Sequence, residues 1–122
     1  LYVADYYNNR IRKITPAGMV TTLAGNGFND IWVGVALSQA AFNNPTAIAV
    51  ASNGIVYVTG GIHNTIRLIK PNGKVETIIS FKEAVSGAPF NFSGIYGITL
   101  DRNGVLHASD YYNNRICKIT YR

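Results

Sequence analysis

Two aspartates and two histidines are the residues of this sequence whose types could support catalysis or metal binding. Asp5 and Asp110 occupy the same place in two copies of the motif Asp-Tyr-Tyr-Asn-Asn. A carboxylate can act as a general acid or base or bind a cation. Here each one precedes a tight turn, where a carboxylate can instead accept backbone N–H bonds and hold the turn. We therefore expect Asp5 and Asp110 to be structural.

The asparagines of these turns suit left-handed backbone, which their short polar side chains tolerate. We expect that conformation at Asn8, Asn9, Asn64, Asn113 and Asn114.

The histidines give a weak metal signal. His63 and His107 are far apart in the sequence, with no cysteine or carboxylate fixed beside them, and Cys117 is the only cysteine. A zinc site needs three or four such ligands at close spacing. The sequence predicts no catalytic residue, no metal site and no cofactor, and His63 is kept as a candidate ligand contact in a loop.

A repeat supplies the elements that position these residues. The segment from Tyr2 to Thr15 recurs closely from His107 to Thr120, and a more diverged copy begins at Tyr57. Short β-branched segments alternate with Asn-Gly and Pro-x-Gly turns, and no helical period persists, which predicts an all-β chain. Each unit is interpreted as four antiparallel strands, A to D, that form one β-propeller blade.

Counting strands predicts the domain organisation. Residues 1–25 are expected to form strands B to D of one blade, residues 45–80 a complete blade, and residues 95–122 strands A to C of a third. The chain is thus expected to be a single partial propeller domain of about two and a half blades.

The repeat resembles the NHL family, whose units contain a Tyr-Val-Ala-Asp segment, Asn-x-Arg-Ile, a Pro-x-Gly turn and a strand like Val-Thr-Thr-Leu-Ala-Gly. The resemblance covers nearly the whole chain, with two departures: Gly60 replaces the Asp of the middle copy, and Ala51 replaces the Asp that usually follows strand A. It implies a six-bladed propeller whose remaining blades lie in the same polypeptide.

One face of such blades gathers the B–C turns and the long D–A connections, residues 25–44 and 80–93. Functional loops are usually the long ones, and Tyr and Trp combine contact area with a polar group. The candidate ligand-binding residues on this face are Tyr6, Tyr7, Trp32, His63, Phe90, Tyr111 and Tyr112. For the tyrosine pairs, packing between blades is an equally good interpretation.

These residues favour a non-catalytic recognition or scaffold module that binds a protein, peptide or glycan, as the resemblance to NHL propellers also implies. RNA binding is one alternative, because the net charge is +5 and basic residues lie on or beside strand C of each unit. The other is a metal-dependent propeller enzyme of the lyase or lactonase type with its site on further blades, since strand A here offers Thr46 and Tyr96 rather than good metal ligands.

The compartment stays open. No segment approaches the roughly 18 apolar residues of a membrane span. Asn91-Phe92-Ser93 matches an N-glycosylation acceptor, and the long D–A connection after Ala24 resembles those of secreted and surface proteins. Only the second feature, the long connection, favours an extracellular or periplasmic location.

Overall fold

A computed structural model describes residues 1–28, 37–38, 40–60, 64–79 and 92–120. These residues form ten strands in three antiparallel sheets. The first sheet contains β1 (Tyr2–Asp5), β2 (Arg10–Ile14) and β3 (Val20–Ala24). The second contains β4 (Pro45–Val50), β5 (Val56–Gly60), β6 (Thr65–Ile69) and β7 (Val75–Ile79). The third contains β8 (Ile95–Leu100), β9 (Leu106–Asp110) and β10 (Arg115–Ile119). Strands follow chain order in every sheet, so the predicted all-β meander is confirmed.

The middle sheet is buried on both faces. Successive side chains of a strand point to opposite faces, so Ile66 and Leu68 of β6 pack toward the third sheet while Ile69 packs toward the first. Two apolar clusters result, one at each junction between neighbouring sheets. The sheets are therefore stacked face to face, as blades are in a propeller.

Asn-Gly turns form the hairpins between strands A and B. Gly54 and Gly104 have φ values of +85° and +77°, which only glycine adopts without strain. In the first hairpin the amide of Gly54 donates to the carbonyl of Ala51 at 2.9 Å, and the side chain of Asn53 accepts from the amide of Ile55. These turns stand at the sheet ends opposite the B–C turns.

Short 3₁₀ turns, Tyr6–Asn8 and Tyr111–Asn113, connect strands B and C of the first and third sheets. The predicted left-handed backbone is found at the residue that closes each turn: Asn9 (φ 53°), Asn64 (φ 49°) and Asn114 (φ 51°). The same prediction is wrong for Asn8 and Asn113, because these residues belong to the 3₁₀ turns themselves.

Two of the closing asparagines connect one sheet to the next. Asn64 Oδ1 accepts hydrogen bonds from the amides of Gly94 (2.6 Å) and Ile95 (3.2 Å), and its Nδ2 donates to the carbonyl of Phe92 (3.1 Å). Asn9 Oδ1 likewise accepts from the amide of Asn44 at 2.9 Å. We call this arrangement the asparagine clamp, because each side chain fixes the segment that leads into strand A of the following sheet.

Among the residues described, no helix has the length and apolar character needed to cross a membrane.

Candidate ligand-binding surface

The aspartates before the B–C turns are engaged in structural contacts. Asp5 Oδ1 accepts from the side-chain amide of Asn8 at 2.8 Å, and Asp110 Oδ2 accepts from that of Asn113 at 2.9 Å. The turn is thus held through an asparagine side chain rather than through its own backbone amides. Hydrogen bonds from Asn8 and then from Arg12 lower the pKa of Asp5 below its ordinary value, so its carboxylate is ionised at neutral pH.

Asp110 is the more deeply buried of the two carboxylates, with 0% exposure. It accepts a hydrogen bond from the amide of Ser93 at 2.7 Å and another from Arg115 Nε at 2.8 Å. Burial by itself raises the pKa of Asp110, but the hydrogen bonds from Asn113, Ser93 and Arg115 outweigh it and hold the pKa below 3.8. The side chain closes the third sheet around its B–C turn.

The aspartates form hydrogen bonds within the turns and sheets, whereas the tyrosines of the turns face solvent. Tyr7, Tyr111 and Tyr112 are 89%, 63% and 64% exposed. Within each turn the two rings meet edge to face, with centroids 5.0 Å apart for Tyr6 and Tyr7 and 5.0 Å apart for Tyr111 and Tyr112. This geometry is favourable for aromatic pairs, and it leaves ring faces open for a ligand.

Tyr96 of β8 joins this group, although it was not among the ligand contacts predicted from the sequence. Its ring centroid lies 5.4 Å from that of Tyr111 and 6.4 Å from that of Tyr112, and it is 40% exposed. The Tyr6 phenol of the first sheet's B–C turn also contributes to the raised pKa of Tyr96. We call Tyr6, Tyr7, Tyr96, Tyr111 and Tyr112 the tyrosine surface.

A strand irregularity and a glycine position Tyr96. The pairing of β8 with β9 shifts register between Ile95 and Ile98, and such bulges redirect the side chains within them. Gly94 precedes the bulge with φ +85°, and a Cβ there would lie 2.8 Å from Tyr112 Cδ2 and 2.9 Å from Tyr96 Cε2. The missing side chain at Gly94 therefore lets the two rings approach each other, and the asparagine clamp holds its amide.

The neighbouring phenol of Tyr112 raises the pKa of Tyr96 above 10.0, and the phenols of Tyr6 and Tyr111 add to the effect. We predict that Tyr112→Phe lowers the pKa of Tyr96 toward 10.0 in a titration followed by phenolate absorbance. Tyr7→Phe is the control and should leave this pKa unchanged, because Tyr7 does not contribute to the shift.

The raised pKa of Tyr96 makes the stability of the folded chain depend on pH. Because the folded pKa is raised, the stabilisation is complete below the unfolded pKa near 10 and is lost as pH rises through the folded value. An unchanged pKa of Tyr96 in Tyr112→Phe would contradict the contribution of Tyr112.

The structure does not describe all of the remaining residues that the sequence singled out. Trp32, His63 and Phe90 lie outside the described residues. His107 Nε2 is 3.2 Å from Asp101 Oδ2 in the A–B hairpin of the third sheet. Within the part of the chain that the structure describes, His, Cys, Asp and Glu do not gather in any group of three that could hold a metal ion.

Three basic residues on or beside strand C form ion pairs with carboxylates. Arg12 and Arg115 form ion pairs with Asp5 and Asp110 at 3.0 and 2.8 Å. Lys70 Nζ is 2.7 Å from Glu76, and hydrogen bonds from Lys70 and then Lys74 lower the pKa of Glu76. Arg67 is buried. The cationic groups that suggested phosphate contacts are therefore partly neutralised.

Comparison with known proteins gives two sets of similarities and one negative result. No family model matches the chain. NHL repeat-containing protein 2 from Gallus gallus is 33% identical over 81 residues, which is 65% of this chain and 11% of the relative. Its Homo sapiens counterpart is 30% identical over 95 residues, 74% of this chain and 13% of the relative. The chain thus spans a small part of these relatives' length.

Solved structures share the fold at lower identity. An auxiliary nutrient binding protein from Bacteroides thetaiotaomicron has a TM-score of 0.76 at 19% identity, covering 98% of this chain and 34% of that one. Virginiamycin B lyase from Staphylococcus aureus has a TM-score of 0.67 at 21% identity, covering 98% and 33%. The repeat motifs, the stacked four-stranded sheet with its two neighbours, and these similarities together identify the chain as an array of NHL-repeat β-propeller blades.

Proposed function

We propose that this chain is a non-catalytic recognition module that binds a protein, peptide or glycan through the tyrosine surface. The single observation that supports the proposal most strongly is the contact of the Tyr96 ring with the exposed rings of Tyr111 and Tyr112. Exposed aromatic groups at one place on a surface are typical of recognition sites.

The chemistry of the surface matches these ligand classes. Phenol rings provide flat apolar faces for sugar rings, prolines or aliphatic side chains, and each hydroxyl can donate or accept a hydrogen bond. Tyrosine also has few side-chain rotors, so little conformational entropy is lost on binding. The carboxylates that precede the two described turns, Asp5 and Asp110, accept hydrogen bonds from Asn8, Asn113 and the amide of Ser93.

The alternatives have narrower support. Structural neighbours named as virginiamycin B lyase and putative gluconolactonase keep a catalytic role open through their fold alone. RNA binding would use the same rings for base stacking, but two of the strand C arginines are already paired with aspartates. The recognition proposal uses features that the surface itself displays.

We predict that Tyr96→Ala weakens binding about 30-fold, the effect of losing an aromatic anchor worth about 2 kcal/mol. The 122-residue chain would be screened against glycan and peptide arrays with single-stranded RNA included, and the affinity for the best ligand then measured. The control is Met19→Ala, a 65% exposed residue at the end of the first sheet opposite its B–C turn. It should bind like the unsubstituted chain.

Equal affinities of Tyr96→Ala and Met19→Ala would argue against the tyrosine surface. Preferential binding of RNA with steep loss of affinity in salt would favour the phosphate-led alternative.

A further inference from the structure

Arg67 is a buried arginine at the junction of the first and second sheets. Its side chain lies on the face of β6 that turns toward the first sheet, and the residue is only 6% exposed. The guanidinium carbon is 4.8 Å from the centroid of the Phe42 ring, and Nη1 donates a hydrogen bond to the carbonyl of Ala41. One side of the group is therefore anchored to the segment that leads into β4.

The other edge of the guanidinium has no hydrogen-bond partner among the residues that the structure describes. Its nitrogens Nε and Nη2 are both buried. In a guanidinium group these two nitrogens form one edge, with parallel N–H bonds that match the two oxygens of a carboxylate or phosphate. The unpaired donors thus have the geometry of a bidentate anion site.

Comparison of the blades shows what is missing. Arg12 occupies the position of Arg67 in the first sheet, and its Nε is 3.0 Å from Asp5 Oδ2. The residue that corresponds to Asp5 in the second sheet is Gly60. A Cβ on Gly60 would lie 2.9 Å from Thr65 Oγ1 and 3.1 Å from the carbonyl of Asn43, so an aspartate at this position would require both groups to shift. Glycine at this position supplies no carboxylate to Arg67.

Leaving such an edge empty is costly. Burial lowers the pKa of Arg67 to about 10, which still leaves the group charged at neutral pH. A buried charge with unsatisfied donors is strongly unfavourable unless an opposite charge or hydrogen-bond acceptors compensate it. An external anion that occupied the edge would provide both.

We propose that the Nε–Nη2 edge of Arg67 binds a carboxylate or phosphate oxyanion at the junction of the first and second sheets. This site is separate from the tyrosine surface and does not depend on the function proposed for it. The anion takes the place of the aspartate that the first sheet supplies to Arg12.

The test measures thermal unfolding of the 122-residue chain at pH 7 in acetate, phosphate or chloride at equal ionic strength. We expect acetate or phosphate to raise the melting temperature above that in chloride, by about 4 °C at ten times the dissociation constant. A response to acetate alone assigns the site to carboxylates, and a response to phosphate alone assigns it to phosphate groups.

Two variants locate the response. Arg67→Met should abolish it, whereas Arg12→Met, which removes the arginine that already has an aspartate, should keep it. Identical melting temperatures of the unsubstituted chain in the three salts, or an unchanged response in Arg67→Met, would overturn the proposal.

A second measurement does not require a folded variant. In the unsubstituted chain, the Nε–H resonance of Arg67 should move on addition of acetate or phosphate and stay in place with chloride. A resonance that is insensitive to both oxyanions would also overturn the proposal.

Discussion

Asn64→Ala is expected to lower the free energy of unfolding by about 3–4 kcal/mol, since it removes three hydrogen bonds and leaves buried backbone groups unpaired. The amides of Gly94 and Ile95 and the carbonyl of Phe92 lose their partner together. All three belong to the segment that leads into β8, so the loss loosens the junction between the second and third sheets. Urea unfolding of the purified variant measures the effect.

Asn114→Ala is the matched control for this prediction. Asn114 closes the equivalent turn of the third sheet with nearly the same φ, 51° against 49° for Asn64, but it is exposed. Both substitutions place alanine in left-handed backbone at a cost of about 1 kcal/mol, so the difference between them isolates the asparagine clamp. Equal losses of stability in the two variants would contradict the clamp.

Asp110→Ala is expected to destabilise the chain by about 3 kcal/mol, because it removes a buried carboxylate that accepts hydrogen bonds from Ser93, Asn113 and Arg115. Asp5→Ala is the comparison. The side chain of Asp5 is 26% exposed, and water can hydrate Asn8 and Arg12 when they lose it. A smaller loss of stability is therefore predicted for Asp5→Ala.

The pH dependence of the unfolding free energy tests the role of Asp110 independently. Because the folded pKa of Asp110 is lowered below 3.8, its stabilising contribution is complete above the unfolded pKa and is lost as pH falls through the folded value. The stability of the unsubstituted chain should thus fall as the pH decreases below the unfolded pKa near 3.8. Asp110→Ala should show a shallower fall, and an identical acid profile in the two proteins would contradict the assignment.

Those parts of the fold that depend on local sequence could be predicted from it. Asn-Gly pairs specify tight hairpins, and short β-branched segments specify strands, because the preference lies within a few residues. Local sequence does not predict which asparagine adopts left-handed backbone. Asn8 and Asn9 have the same side chain, and only the 3₁₀ geometry of the turn decides which of them closes it. The sequence did not show that difference.

The features that were missed depend on contacts between distant segments. Tyr96 reaches the tyrosine surface through a register shift in β8 and the absence of a side chain at Gly94, neither of which has a periodic signature. Arg67 looked like one of several strand C cations, and its burial follows from the packing of Phe42 and Ala41 against it. Replacement of the motif aspartate by Gly60 was visible as a departure, but its consequence for Arg67 was not.

The central claim is that ligand binding takes place on the tyrosine surface, and NMR of the chain with ¹³C-labelled tyrosine rings tests it most directly. On titration with the best ligand from the arrays, we predict that the ring signals of Tyr6, Tyr7, Tyr96, Tyr111 and Tyr112 move together. The signal of Tyr57, which is 6% exposed between the second and third sheets, should stay in place. Binding that leaves all five signals unmoved would contradict the claim.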